Sequence, residues 1–186
     1  MKKFFDWIMD NFREYRTTKF LPIGKFLYKI GITANMMSFV SLLLGLSAIY
    51  FLFQNHLVFI ILGILHLIAD GLDGIIARAS KSTELGKYFD LIFDRIVAFT
   101  ALLKVAFYLG DNYFLIICGL FVLTQLIYFL SKLEYPIIFV RTTTLIVLAF
   151  SPLHSKILVY GYLVAGIFIV YSLGLQLQWF VKKNFS

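Results

Sequence analysis

Asp70-Gly-Leu-Asp73-Gly-Ile-Ile-Ala-Arg78 and, seven residues further on, Gly86-Lys-Tyr-Phe-Asp90-Leu-Ile-Phe-Asp94 place four acids within otherwise apolar sequence. A carboxylate inside a membrane helix costs about 3 kcal/mol on insertion scales. Four within one short stretch therefore demand a purpose. One reading is an ion-pair network with Arg78, Lys87 and Arg95. Four acids against three bases still leave an excess of negative charge. The spacing favours a cation site instead. Asp73 and Asp90 are equally distant from a loop centred near Lys81 and Ser82, and Asp70 and Asp94 lie one turn further from it. In an antiparallel helix pair the four form two levels roughly 5 Å apart. Asp70 shares a helix face with Asp73, and Asp90 shares one with Asp94. Facing carboxylates without a His or Cys cluster favour Mg²⁺ or Mn²⁺, and two such ions would hold a diphosphate. Arg78 could take a phosphate oxygen from the same side. Gly71, Gly74, Ala77 and Gly86 are small, and either let the helices approach closely or leave room for a ligand.

Outward from this stretch the chain is greasy. Of 186 residues, 61% are hydrophobic and 15% charged, and the mean hydropathy is +0.88. Too little polar surface remains to cover a water-soluble globule. A cytosolic enzyme, a disordered chain and a disulfide scaffold are excluded, the last because Cys118 is the sole cysteine. Cys118 lies in an apolar run and reads as a small packing residue. The expected fold is an all-α integral membrane protein with six transmembrane helices, at about 36–53, 57–77, 85–108, 113–130, 136–151 and 157–180. Each is long enough for a hydrocarbon core of about 30 Å. Before them, Phe5, Ile8, Met9 and Phe12 recur at helical spacing among Lys3, Asp6, Asp10 and Arg13. This predicts an amphipathic juxtamembrane helix on the membrane surface. Pro22 and Gly24 are expected to break the chain after it. Residues 1–35 thus read as a cytoplasmic segment and 36–186 as a six-helix catalytic domain.

Charge sets the orientation. With both termini cytoplasmic, only Lys104 and Lys156 of the 17 basic residues fall on the far side. The net charge of +7 then belongs with anionic membrane lipids, not with nucleic acid. The acids face the cytoplasm.

The acidic stretch resembles the signature of the CDP-alcohol phosphotransferases, also called CDP-alcohol phosphatidyltransferases. That signature runs aspartate, two residues, Asp-Gly, two residues, Ala-Arg, seven or eight residues, Gly, three residues, Asp, three residues, Asp. Every fixed position is filled here, from Asp70 to Asp94. Thr33-Ala-Asn35-Met-Met-Ser38 is similar to the family's Pro-Asn motif, with Ala34 in place of proline. The resemblance implies that Asp70, Asp73, Asp90 and Asp94 ligate two Mg²⁺ or Mn²⁺ ions. It further implies that Asp94 is the catalytic base for the acceptor hydroxyl. Gly71, Gly74, Ala77 and Gly86 would make room for the nucleotide, and Arg78 would grip the diphosphate. Asn35 is either a nucleotide contact or a helix cap. The implied reaction is attack of a small polar alcohol on the lipid-bearing phosphorus of a CDP-linked diacyl or diether lipid, with CMP leaving. A homodimer is implied as well.

The acceptor is read from other residues. Lys132 and Arg141 flank the start of the fifth predicted span on the side of the acids, where they either bind an acceptor phosphate or snorkel to head groups. A phosphorylated acceptor means glycerol 3-phosphate or an inositol phosphate. Thr83-Glu-Leu-Gly86-Lys87 followed by Asp90 looks like the glycerophosphate branch, which ranks first. Arg95 after Asp94 is similar to the inositol-phosphate branch. His66, one turn before Asp70, either tunes a metal ligand or is simply packed. A different class, an ion-coupled transporter, would spread its acids across the bilayer depth, and here they are confined to one stretch.

If Lys132 and Arg141 bind an acceptor phosphate, glutamine at either position raises the KM for the phosphorylated alcohol roughly tenfold or more. The KM for the nucleotide-lipid stays unchanged. Steady-state kinetics with the two substrates varied separately checks this, and an unaltered acceptor KM and headgroup choice contradict it.

Overall fold

The computed structural model describes residues 19–80, 84–110, 112–135, 147–148, 150 and 156–185. Six helices and no strand occur among them, besides a helical pair at 147–148. They are α1 (19–29), α2 (Ala34–Phe51), α3 (His56–Ala79), α4 (Glu84–Leu109), α5 (Asn112–Leu130) and α6 (Lys156–Phe185). The apolar runs read from sequence at 36–53, 57–77, 85–108, 113–130 and 157–180 coincide with α2 to α6. The predicted span at 136–151 lies outside the described residues apart from 147–148 and 150. The predicted amphipathic helix at Phe5–Phe12 lies outside them too.

Among the described residues, four helices are long and apolar enough to cross a membrane: α2, α3, α5 and the stretch Lys156–Lys183 of α6. α3 displays Leu57, Ile61, Ile64 and Ile68 on one exposed face, from 43% to 68% accessible across its outward leucines and isoleucines. A soluble protein rarely exposes so continuous an apolar stripe, whereas lipid tails solvate it. α4 is long enough, at about 39 Å for ~1.5 Å per residue, but Lys87, Asp90, Asp94, Arg95 and Lys104 interrupt its apolar character.

The chain forms two compact units, one of Met1–Gly45 and Leu62–Phe93, the other of Leu46–Ile61 and Asp94–Ser186. In the first, α1 runs unbroken through Pro22 and Gly24, which corrects the expected break. Gly24 is where α1 meets α3. A Cβ there would come within 2.8 Å of both the Ile75 side chain and the Ile75 carbonyl oxygen. Close packing on a neighbouring helix overrides the poor helix propensity of glycine. Phe39 meets Phe93 edge to face at 6.3 Å in the same unit.

In the second unit, α4 buries Val97, Ala98, Ala101, Leu102, Val105 and Ala106, a stripe at helical spacing. Lys104 caps the end of α2, donating to the carbonyls of Ile49 at 2.7 Å and Tyr50 at 2.6 Å. A cation at a helix C-terminus satisfies orphan carbonyls and opposes the helix dipole. This local task gives Lys104 a structural role within an apolar helix. α5 and α6 are joined by Tyr162, whose hydroxyl donates to the Phe114 carbonyl at 2.9 Å and lies 2.9 Å from Cys118 Sγ. Cys118 is buried, as a packing residue should be. Gln176 donates to the Thr124 carbonyl at 3.1 Å. At the other end of these helices, Lys183 Nζ contacts Glu134 at 2.7 Å and sits 4.4 Å from the Trp179 ring centre. The Lys183 ammonium holds the Glu134 carboxyl below its usual range.

Gly24→Ala is expected to destabilise the protein by about 1–3 kcal/mol, because a backbone carbonyl cannot swing aside as a flexible side chain would. A Cβ at Gly119 meets nothing within 4 Å, so Gly119→Ala should melt at or above the wild-type temperature. Thermal melts in detergent compare the two, and equal melting of Gly24→Ala and wild type would contradict the packing argument.

Candidate metal and nucleotide site

Helical spacing brings the chemistry to one face of α3. Asp70, Gly74 and Arg78 recur every four residues, so they line up along the helix. A Cβ built at Gly71 would meet no heavy atom within 4 Å, and one at Gly74 would meet only the Arg78 guanidinium, at 3.9 Å. Of the two readings for these glycines, open room beside the acids fits the described residues better than close helix packing. Arg78 is exposed, and its guanidinium folds back over Gly74. Ala77 is half-buried on the same helix, and Gly86 is half-buried in the first turn of α4.

The carboxylates converge. Asp70, Asp90 and Asp94 each offer an oxygen within 4.8 Å of the others, and all three are half-buried. Asp94 follows Asp90 by one turn of the uninterrupted α4, so one helix presents both. Asp73 is 5% exposed and lies within hydrogen-bonding reach of Asp90. Spacing set Asp73 level with Asp90 and Asp70 level with Asp94; the group of three joins Asp90 to the second of these levels. It is an all-oxygen donor set. Oxygen ligands of Mg²⁺ sit about 2.1 Å from the ion, so two ligands of one ion are at most about 4.2 Å apart. The observed separations need only slight closing to meet that limit, so the residues fit a hard divalent cation.

Asp73 is oriented by α2. Its Oδ2 accepts a hydrogen bond from Ser38 Oγ at 2.8 Å, and both side chains are buried. One turn along, His66 Nδ1 lies 2.8 Å from the Ser41 carbonyl oxygen and 2.9 Å from Ser41 Oγ. Ser41 Oγ in turn donates to the His66 carbonyl at 3.2 Å. Because a carbonyl only accepts, Nδ1 carries the proton toward it. His66 is 1% exposed, and these bonds make it a packed residue tying α3 to α2.

Ser38 and Ser41 were legible only as polar interruptions of an apolar span. A buried hydroxyl needs a partner, and three-residue spacing puts both on one face. That signal could have pointed to them. Asn35 is exposed in the first turn of α2. It is not the cap: Thr33 Oγ1 accepts from Met36 N at 3.3 Å, and the Thr33 carbonyl accepts from Met37 N at 3.2 Å. The hydroxyl two residues earlier stands where an N-cap must stand, which corrects the capping alternative for Asn35. Lys132 is exposed in the turn after α5, with φ of 55°. Arg141 lies outside the described residues. Arg95 is 7% exposed on α4.

The fold is similar to the crystal structure of Mycobacterium tuberculosis phosphatidylinositol phosphate synthase (PgsA1) with CDP-DAG bound. The TM-score is 0.70 at 18% identity, over 87% of this chain and 92% of that one. Likeness at that identity speaks for the fold alone. No curated protein matches the sequence. Residues 31–181 match the CDP-alcohol phosphatidyltransferase family. With four-fifths of its length matched and its acids gathered on two helices, the chain belongs to the CDP-alcohol phosphatidyltransferase family, membrane-bound transferases of phospholipid synthesis.

Proposed function

We propose that the protein transfers the phosphatidyl-type group of a CDP-linked lipid to a small polar alcohol, glycerol 3-phosphate, releasing CMP. The observation that carries this reading is the convergence of Asp70, Asp90 and Asp94 within 4.8 Å in a chain of this family. Asp70, Asp73, Asp90 and Asp94 would hold two divalent ions, Mg²⁺ or Mn²⁺. Bound there, such ions neutralise diphosphate charge and stabilise a departing phosphate. The space beside Gly71, Gly74, Ala77 and Gly86 receives the nucleotide, with Asn35 as a further contact. Arg78 takes a diphosphate oxygen. Asp94 accepts the proton of the acceptor hydroxyl as its oxygen bonds to the lipid-bearing phosphorus. The bond from that phosphorus to the bridging oxygen breaks, and CMP leaves with the electron pair. Lys132 and Arg141 hold the acceptor phosphate.

The surrounding architecture suits this chemistry. Six spans with both termini cytoplasmic put the acids at the cytoplasmic face, where CDP-lipid nucleotide meets water and its tails meet lipid. α4 counts among the six because Lys104 is the only charge from Ile96 to Leu109, where the helix carries a buried apolar stripe. Residues 36–186 form the catalytic domain, residues 1–35 its juxtamembrane segment, and two copies form a homodimer. A second acceptor, an inositol phosphate, is favoured by the buried Arg95 immediately after Asp94. The related fold also belongs to a phosphatidylinositol phosphate synthase.

Purified protein given CDP-diacylglycerol, Mg²⁺ and a panel of alcohols should release CMP only with one acceptor, glycerol 3-phosphate. EDTA should abolish release, and Asp94→Asn should slow it roughly 10²–10⁴-fold. Release with an inositol phosphate alone would select the second acceptor. Ion flux in vesicles without CMP release would replace the enzyme reading with a transporter.

A further inference from the structure

We propose that Ser38 is a positioning residue that fixes Asp73 for cation binding. The inference rests on the reading of the aspartates as a divalent-cation site. Ser38 Oγ lies 2.8 Å from Asp73 Oδ2 and 3.1 Å from the Ala34 carbonyl oxygen. A hydroxyl has one proton and can serve one acceptor well. The shorter contact is to the carboxylate, where charge strengthens the bond. Engaging Oδ2 orients the carboxyl plane and leaves Oδ1 for another partner. Ser38 is 4% exposed and Asp73 5%, so bulk water does not compete for the bond.

The helix carrying Ser38 is itself held in register. Ser41 sits three residues on, on the same face of α2, and binds His66 through both its hydroxyl and its carbonyl. Asp73 therefore receives its hydrogen bond from a helix anchored one turn away. The Ala34 carbonyl gives the Ser38 hydroxyl a resting acceptor within its own helix. Loss of the hydroxyl would free the Asp73 carboxyl to rotate toward Asp90, with which it already interacts. Groups that orient a ligand in this way typically govern metal affinity by about 10–100-fold.

Mn²⁺ titration of the purified full-length protein, with free Mn²⁺ counted by electron paramagnetic resonance, tests this without substrate or turnover. Ser38→Ala and the threonine-shaped Ser38→Val should each weaken Mn²⁺ binding about 10–100-fold. Ser38→Thr, which keeps the hydroxyl, should bind within about threefold of wild type. Thr100→Ala removes a hydroxyl that donates within its own helix, to the Ile96 carbonyl at 2.8 Å, and should leave Mn²⁺ affinity unchanged. Wild-type affinity in Ser38→Ala, or equal loss in Ser38→Thr and Ser38→Val, overturns the role of Ser38. Asp70→Ala separates the two claims. If it too binds Mn²⁺ as wild type does, the cation-site reading fails along with this inference. If it loses binding while Ser38→Ala does not, only the positioning role fails.

Discussion

Mutual repulsion among carboxylates inside an apolar helix pair is the constraint on which the architecture turns. Two unit charges about 4.8 Å apart repel by roughly 3–4 kcal/mol at an effective dielectric near 20. Asp70, Asp90 and Asp94 lie at such separations, with Asp73 beside them. No such grouping persists in a membrane protein unless cations or protons offset it. The rest of the molecule holds the grouping in place. α1 leans on α3 through the bare backbone of Gly24, and α2 supplies hydroxyls to Asp73 and His66. α4 presents Asp90 and Asp94 in its first half and packs through Ala98, Ala101 and Ala106 further along.

The same constraint separates structural polar groups from reactive ones. Lys104, Tyr162, Cys118 and Gln176 all sit in apolar helices, and each directs a polar atom to a neighbouring backbone or side chain. Their role is to satisfy groups that lipid cannot hydrate. The acids are different. They face one another, beside glycines that leave open room and an arginine lying along the same helix face.

Much of this was legible in the sequence because the helical hairpin is symmetric about its loop. Equal offsets along the chain become facing levels in space, so the pairing of Asp73 with Asp90 could be counted from residue numbers. Apolar runs located α2 to α6 because lipid demands about twenty apolar residues and permits few charges. What escaped depended on contacts between distant residues. Gly24 read as a breaker because its reason, the Ile75 backbone, lies on another helix. The partner of Ser38 is 35 positions away, so only its polarity was visible. The capping alternative for Asn35 arose because cap preference does not distinguish it from Thr33 two residues earlier. The acceptor stays the least legible feature, since Lys132 and Arg141 announce charge and not the shape of the alcohol.

The most direct test of the central claim is anomalous X-ray scattering from crystals of the protein grown with Mn²⁺ and a CDP-linked lipid. The account predicts manganese peaks about 2.1–2.2 Å from oxygens of Asp70, Asp73, Asp90 and Asp94, with the diphosphate against them. Crystals that hold the nucleotide-lipid elsewhere, or that show these carboxylates turned away from one another with no manganese between them, would contradict it.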